Sequence, residues 1–347
     1  YSINRKEDPM FNKLYDEIKK IICENYKFFI VMVVIVLLAT FRLPYYVNTP
    51  GGIIDISSKI EVDGGYPVEG SFNMAYVSEL KGTIPVLLIA SLRSDWDIIK
   101  QEEVVLENET IRDVSFRDHL MLEEANDNAL ILAYQKAGKE IEVTNRQLFV
   151  TYVDPDGRTD LEVQDEILEI NGIAVNEKEA LAEEISKCTI GDTLTLNVIN
   201  NGKEYTRKAE IYELEGVEVI GVMISEKKDV ITDPEITFHF DQSESGPSGG
   251  FMMALAIYNY LIPEDITHGL TIVGTGTIDL DGNVGSIGGV EYKLKGAVKA
   301  KADLFLVPNG DNLEEAMELK EENHYDIEII GVSTFDEALE VLENLEG

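Results

Sequence analysis

A serine at position 248 lies within Gly246-Pro247-Ser248-Gly249-Gly250, directly ahead of the apolar run FMMALAIYNYL. Glycines at this spacing let a substrate backbone approach closely. A helix opening here also offers unpaired backbone N–H groups to a developing oxyanion. Serine is an ordinary N-cap as well, so Ser248 alone does not decide the chemistry. A lysine adds to it. Residues 290–302 read as a helix carrying Lys293, Lys295, Lys299 and Lys301. Val290, Lys293, Ala297 and Ala300 are spaced 3, 4 and 3 and share one stripe. Lys295 is about 200° round from Lys293, and Lys299 continues that outer face. An ammonium on the packed stripe loses hydration, which lowers its pKa below the usual value of about 10.4. A neutral amine can then take the proton of a serine hydroxyl, a Ser-Lys variant of triad logic. Ser248 is the candidate nucleophile and Lys293 the candidate base, with Gly246, Pro247 and Gly249 shaping the loop.

The same five residues satisfy GxSxG, the nucleophile elbow of α/β-hydrolases, so an esterase is an alternative. That fold runs a strand straight into the serine and needs a late histidine. Here residues 241–247 separate the strand at 236–240 from Ser248, and His324, in EENHY, reads as a helix end. Other chemistries lack their residues. Cys23 and Cys188 are too few for a zinc cluster or a disulfide scaffold, and the four histidines show no ligand spacing. No metal or cofactor is expected. No GxxxxGK[ST] occurs, so this sequence carries no P-loop.

The elements that must position the pair are legible around it. Residues 271–278 (TIVGTGTI) read as a buried strand, followed by the glycine-rich LDGNVGSIGG at 280–289 and then the lysine-bearing helix. LFLV at 304–307, Pro308 and an acidic helix close the chain. GPSGG, Thr275-Gly276, the Gly282 turn, Ile287-Gly288-Gly289 and a lysine four residues later resemble, in content and order, the proteolytic domain of the Lon family of Ser-Lys proteases. The resemblance runs from about residue 215 to the end. It implies Ser248 as nucleophile, Lys293 as catalytic lysine and Thr275 as a supporting hydroxyl. Ser245 stands where an aspartate often precedes GPS in ATP-dependent relatives, and Thr277 where an acidic residue often follows Thr-Gly.

Residues 147–212 form a second unit. A strand (QLFVTYV), a turn (DPDGRTD), LEVQDEILEINGIAV, a helix near 177–187 and two strands flanking Asn200-Asn201-Gly202 follow each other. DEILEING at 165–172 and GDTLTL at 191–196 resemble a PDZ domain of the bacterial protease-associated kind. Gln164 replaces the usual glycine before the aspartate, and no glycine-rich carboxylate-binding loop precedes Leu148. Capture of a peptide C-terminus by β-addition and a purely structural module both remain open. An adaptor with an inactive protease fold is a further alternative.

Residues 28–41 (FFIVMVVIVLLATF) are fourteen without a charge, between Lys27 and Arg42. A bilayer needs about 20, which flanking aromatic residues and snorkelling charges can supply. A buried core helix would show a polar face, and a cleaved signal peptide would show a small-residue site after the run. Neither is present, and an uncleaved anchor is expected. Residues 1–27 hold Arg5, Lys6, Lys13, Lys19, Lys20 and Lys27, against Arg42 alone before Lys59. The positive-inside bias then sets the N-terminus in the cytoplasm and the rest outside the cell membrane, as a single-pass protein. Between 44 and 100, Ile60–Val62, 71–77 and 83–89 read as strands in hairpins, and 109–137 reads as a helix without chemistry. The formal net charge is −36 at pH 7, which repels phosphate backbones and excludes nucleic acid as a partner.

The expected architecture is α/β (α+β). It has a cytoplasmic tail (1–27), a transmembrane helix (28–43), a juxtamembrane β/α region (44–146), a PDZ-like β-module (147–212) and a Lon-type proteolytic domain (213–347). The whole resembles membrane-anchored, PDZ-containing Lon-like proteases of bacteria. That implies an ATP-independent serine endopeptidase acting on extended or partly unfolded extracytoplasmic or membrane-associated proteins. Its partners would be protein or peptide substrates and the membrane, and it is compatible with a homo-oligomer.

Overall fold

The computed structural model describes residues 9–214, 216–240 and 244–345. Arg5 and Lys6 of the N-terminal charge cluster, and 241–243 of the loop before Ser248, lie outside the described residues. The chain divides into two compact units, Tyr1–Asn48 with Glu79–Gln101, and Thr49–Ser78 with Glu102–Gly347. In chain order the first half contains α1 (Pro9–Glu24), α2 (Tyr26–Thr40), β1 (Arg42–Asp55), β2 (Ile60–Val62), β3 (Ser71–Thr83), α3 (Ile84–Ala90), β4 (Asp97–Lys100), α4 (Gln101–Val104) and α5 (Ile111–Lys136). The PDZ region follows with β5 (Glu140–Val153), β6 (Glu166–Ile170), β7 (Ile173–Ala174), α6 (Lys178–Ser186), β8 (Thr193–Asn200), β9 (Lys203–Glu210), β10 (Tyr212–Leu214), β11 (Val217–Val219) and β12 (Val222–Asp233). The remainder is β13 (Ile236–Phe238), α7 (Gly250–Leu261), β14 (Thr271–Gly274), β15 (Thr277–Ile278), β16 (Val284–Gly285), α8 (Val290–Ala300), β17 (Leu304–Pro308), α9 (Asp311–Asn323), β18 (Glu328–Val332) and α10 (Phe335–Glu343).

In the first unit, α2 carries no charge after Lys27 in its first turn, and none of its residues is buried. It ends at Thr40, so Arg42 and Leu43 of the expected span belong to β1 instead. No single described helix is long and apolar enough to cross a membrane; Glu17–Glu24 and Tyr26–Thr40, bent by 80°, meet that requirement only as a pair. Residues 83–89 are not the expected strand. Thr83 ends β3 and caps α3, which takes 84–89, because Pro85 presets the first helical turn and the run shows no alternation. β4 pairs antiparallel with the start of β1, Tyr45 opposite Lys100.

The second unit contains strands ordered β18-β17-β14-β3-β1, and the pairings β18/β17, β17/β14 and β14/β3 are parallel. Residues 71–77 form the expected strand, within β3, but it lies between β14 and β1 rather than in a hairpin with 60–62 or 83–89. Ser71–Met74 pair with β14, Ser71 opposite Thr271 and Met74 opposite Gly274. Side chains alternate between two cores. Phe72, Ile272, Leu304 and Leu306 pack with α7, whereas Ala75, Val273, Phe305 and Val307 pack with α8 and α9. Helices thus cover both faces, which is why these strands read as continuous apolar runs. Ile60–Val62 pairs with β13 rather than with its own neighbours.

The PDZ sheet is antiparallel, ordered β12-β5-β6-β8-β9, over a core that includes Leu148, Val150, Ile170, Leu194, Leu196 and Leu181 of α6. The β8–β9 turn places Asn201 at φ 49 and Gly202 at φ 74, the two left-handed residues an N-G hairpin requires. Gln164 has φ 76, so the departure from glycine puts a side chain where glycine is at ease. The neighbouring Asp165 is a structural carboxylate. It is fully buried and accepts from Asn200 Nδ2 at 2.8 Å and from the Glu162 amide at 2.8 Å.

α5 joins the two halves of this unit. Thr110 caps it through a reciprocal box with Asp113, whose carboxylate accepts from the Thr110 amide at 2.9 Å. The helix packs against α7 on one side and against β5 and β12 on the other. Its C-terminal half, Ala129 to Tyr134, is consequently buried all round.

Candidate active site

Ser248 sits in a single 3₁₀ turn, Pro247–Gly249, that feeds into α7. Gly246 enters this turn at φ 89, a backbone state that favours glycine, and its amide donates to the Asp118 carbonyl of α5 at 3.3 Å. Gly249 lies against Met74 of β3. A Cβ there would come within 2.8 Å of the Met74 sulfur. Gly250 likewise abuts Ala125 of α5. Gly249 and Gly250 are therefore required by packing.

The Ser248 carbonyl is held twice by the end of β14. The Gly276 amide donates to it at 2.8 Å and Thr275 Oγ1 at 3.0 Å. In return the Phe251 amide donates to the Gly276 carbonyl at 3.1 Å. These bonds fix the first turn of α7 against the carboxyl end of a parallel strand, where open α/β sheets place their ligands. The strand expected over 271–278 breaks at this point. β14 stops at Gly274, Thr275 and Gly276 turn toward Ser248, and β15 starts a hairpin with β16.

Lys293 arrives from the opposite face of the sheet, on α8. Gly289 caps this helix at φ 71 and lies close to Val77 of β3. As the stripe implied, Val290, Lys293 and Ala297 are buried with Leu294 and Gly296, although Ala300 at the helix end is exposed. Lys293 is 4% exposed, and burial lowers its pKa from 10.5 to about 8. Its Nζ donates to Thr275 Oγ1 at 3.1 Å. Because Thr275 spends its own proton on the Ser248 carbonyl, its oxygen is available as acceptor. Lysine, threonine and the serine backbone thus form one chain of hydrogen bonds. Lys295 instead pairs with Glu291 on the outer face, and Lys299 is exposed. His324, which an esterase would need, is exposed at the left-handed C-cap of α9.

Sequence reasoning missed the contribution of α5 and β3. Asp118, Ala125, Met74 and Val77 buttress the serine turn or the α8 cap, and nothing in their types announces it. It also missed a buried polar group between α5 and β12. Glu226 pairs with Arg146 at 2.7 Å and with Lys228 at 3.5 Å, and Lys228 Nζ donates to Asn128 Oδ1 at 3.2 Å. Beside them burial raises the Asp127 carboxyl to about 7, against the opposing pull of the Lys228 amide and ammonium. Among the described residues no cluster of histidine, cysteine or carboxylate side chains could hold a metal ion.

Residues 218–344 match the Lon protease (S16) C-terminal proteolytic domain, and residues 123–211 match the PDZ domain. The chain carries a Lon-type proteolytic domain preceded by a PDZ domain, in a mixed α/β fold. The PDZ match begins within α5, earlier than the expected 147. Among curated proteins, the chain is 32% identical over 117 residues to a Lon protease of Campylobacter concisus, which covers 33% of this chain and 14% of that protein. It is 33% identical over 124 residues to the archaeal Lon protease of Methanocaldococcus jannaschii, covering 35% and 18%. The chain therefore spans less than a fifth of the length of either relative. The solved PDZ domain of an SdrC-like protein from Listeria monocytogenes is 24% identical, with 24% of this chain and 92% of that one covered and a TM-score of 0.22.

Proposed function

We propose that the chain is a serine endopeptidase in which Ser248 is the nucleophile and Lys293 the general base. The observation that carries this reading is the buried ammonium of Lys293, lowered to about 8 and tied through Thr275 to the backbone of Ser248. In its neutral form Lys293 takes the Ser248 proton as Oγ attacks the peptide carbonyl. The amides at the start of α7 face the oxyanion that forms. The protonated amine then returns the proton to the leaving nitrogen, and water repeats the cycle on the acyl-enzyme. Thr275 keeps the amine aimed at the serine turn. Gly246, Pro247 and Gly249 hold that turn open to an extended backbone.

In this reading α2, uncovered and apolar, anchors the protein in the cell membrane, with the N-terminus cytoplasmic and the proteolytic domain outside. Substrates are extended or partly unfolded proteins. β12 ends the PDZ sheet and offers an edge for β-addition. Such substrates reach Ser248 already extended, so cleavage in this reading is ATP-independent and spares folded domains, whose unfolding costs about 5–15 kcal/mol. The test is a fluorophosphonate probe together with an unfolded and a folded form of one protein substrate, without nucleotide. The expected result is labelling at Ser248 that depends on Lys293, with cleavage of the unfolded form only. No labelling would favour the adaptor. Labelling that survives loss of Lys293 but not of His324 would favour the esterase.

Thr275→Val should lower kcat by roughly 10–100-fold with a smaller change in KM, since it removes a positioning hydroxyl and leaves the amine without its acceptor. Thr275→Ser should restore most of the rate. Equal kcat in Thr275→Val and wild type would remove threonine from the scheme.

A further inference from the structure

The first unit carries an apolar surface that proteolysis does not use. α3 and the turn after it expose Leu88 (62%), Ile89 (50%) and Leu92 (86%), and β4 adds Ile98 (44%). Trp96, the single tryptophan of the chain, lies among them. The Arg93 guanidinium sits over its ring, 5.8 Å from the centroid, and pairs with Asp95 at 2.8 Å. Exposed apolar side chains are ordinary when scattered. These fall within residues 88–98, in the same compact unit as α2, and α3 touches α2.

That contact decides the occupant. Past Lys27, α2 is apolar all round with no buried residue, and lipid hydrocarbon is the surrounding that satisfies such a helix. An element touching it, with leucine and isoleucine exposed and a tryptophan and an arginine beside them in sequence, has the composition of an interfacial anchor. Within Glu79–Gln101, Lys81, Arg93 and Lys100 balance Glu79, Asp95 and Asp97, so no net charge selects a headgroup or an acidic partner, and the apolar side chains favour a seat in a zwitterionic surface. We propose that α3 and residues 91–98 seat in the headgroup–acyl boundary of the bilayer that takes α2. Leu88, Ile89 and Leu92 enter the acyl layer, Trp96 lies at the boundary, and Arg93 stays at headgroup level. The first unit then meets the membrane through two contacts rather than through one flexible tether. This inference rests on the membrane reading of α2.

The test uses the full chain reconstituted in phosphatidylcholine vesicles, floated on a density gradient, with Trp96 as the fluorophore. Interfacial helices lie about 5–10 Å into the boundary, so lipids brominated near the headgroup should quench Trp96 more than lipids brominated near the chain end. A Leu88→Asp/Leu92→Asp double variant should still float through α2 but lose most of that quenching and shift Trp96 emission to the red. If wild type floats while Trp96 goes unquenched, the α3 seat is wrong and the anchor stands. If wild type does not float, the anchor reading fails and takes this one with it. If the double variant keeps its quenching but breaks a cross-linkable dimer, the face joins copies of the chain and the lipid seat is overturned.

Discussion

Ser248→Ala and Lys293→Met will each abolish peptide cleavage while leaving the fold intact. The expected loss is roughly 10⁴-fold or more in kcat, the scale found when a nucleophile or its base is removed from other serine hydrolases. Combining the two changes should cost little more than either alone, because both act in one proton transfer. Methionine is the informative replacement at 293. It fills the space of the buried side chain without its charge, so inactivity cannot be ascribed to a cavity. Lys295→Ala and Lys299→Ala should be near neutral, since one lysine pairs with Glu291 on the outer face and the other is exposed. Retention of most activity by Lys293→Met, measured with a short fluorogenic peptide, would overturn the assignment.

Activity will rise with pH through about 8, the value to which burial lowers Lys293. Only the neutral amine can accept the serine proton, so below that pH the rate should fall about tenfold per unit under chemistry-limited conditions. A flat profile from pH 6 to 9 would exclude a lysine base. Asp127, raised to about 7, titrates nearby but lies between α5 and β12. Asp127→Asn should therefore leave the inflection near 8. Stability has the matching sign. The folded pKa is depressed below the unfolded 10.5, so below about 8 both states hold the proton and the buried ammonium burdens only the folded state. Between about 8 and 10.5 the unfolded state binds more proton, and stability rises with pH by about 3 kcal/mol in all. The stability advantage of Lys293→Met should shrink across that window.

The polar cluster between α5 and the PDZ sheet illustrates a boundary of inference from residue types. Asp127 and Asn128 stand in a helix among other polar residues, as solvated side chains do. Their burial follows from β12, a hundred residues later, returning along α5 and bringing Lys228 and Glu226 with it. A sequence window cannot report a contact at that separation.

Local order determined much of this protein in advance. The 3-4-3 stripe placed Lys293 inward and Lys295 outward, because helical periodicity alone sets which side chains share a face. Asn201-Gly202 gave the hairpin turn, because two successive left-handed residues suit this dipeptide. The PDZ domain and the glycine-flanked serine were legible in the same local way. Tertiary structure alone decided the rest. Residues 71–77 looked like a hairpin strand, yet Ser71–Met74 lie beside β14, since parallel pairing across two hundred residues leaves no local mark. Of the run 83–89, all but Thr83 became helix because apolar runs this short fit either state, and Pro85 tipped the balance. The hydrogen-bond chain from Lys293 through Thr275 to Ser248 exists only because two helices on opposite faces of one sheet converge at the end of β14.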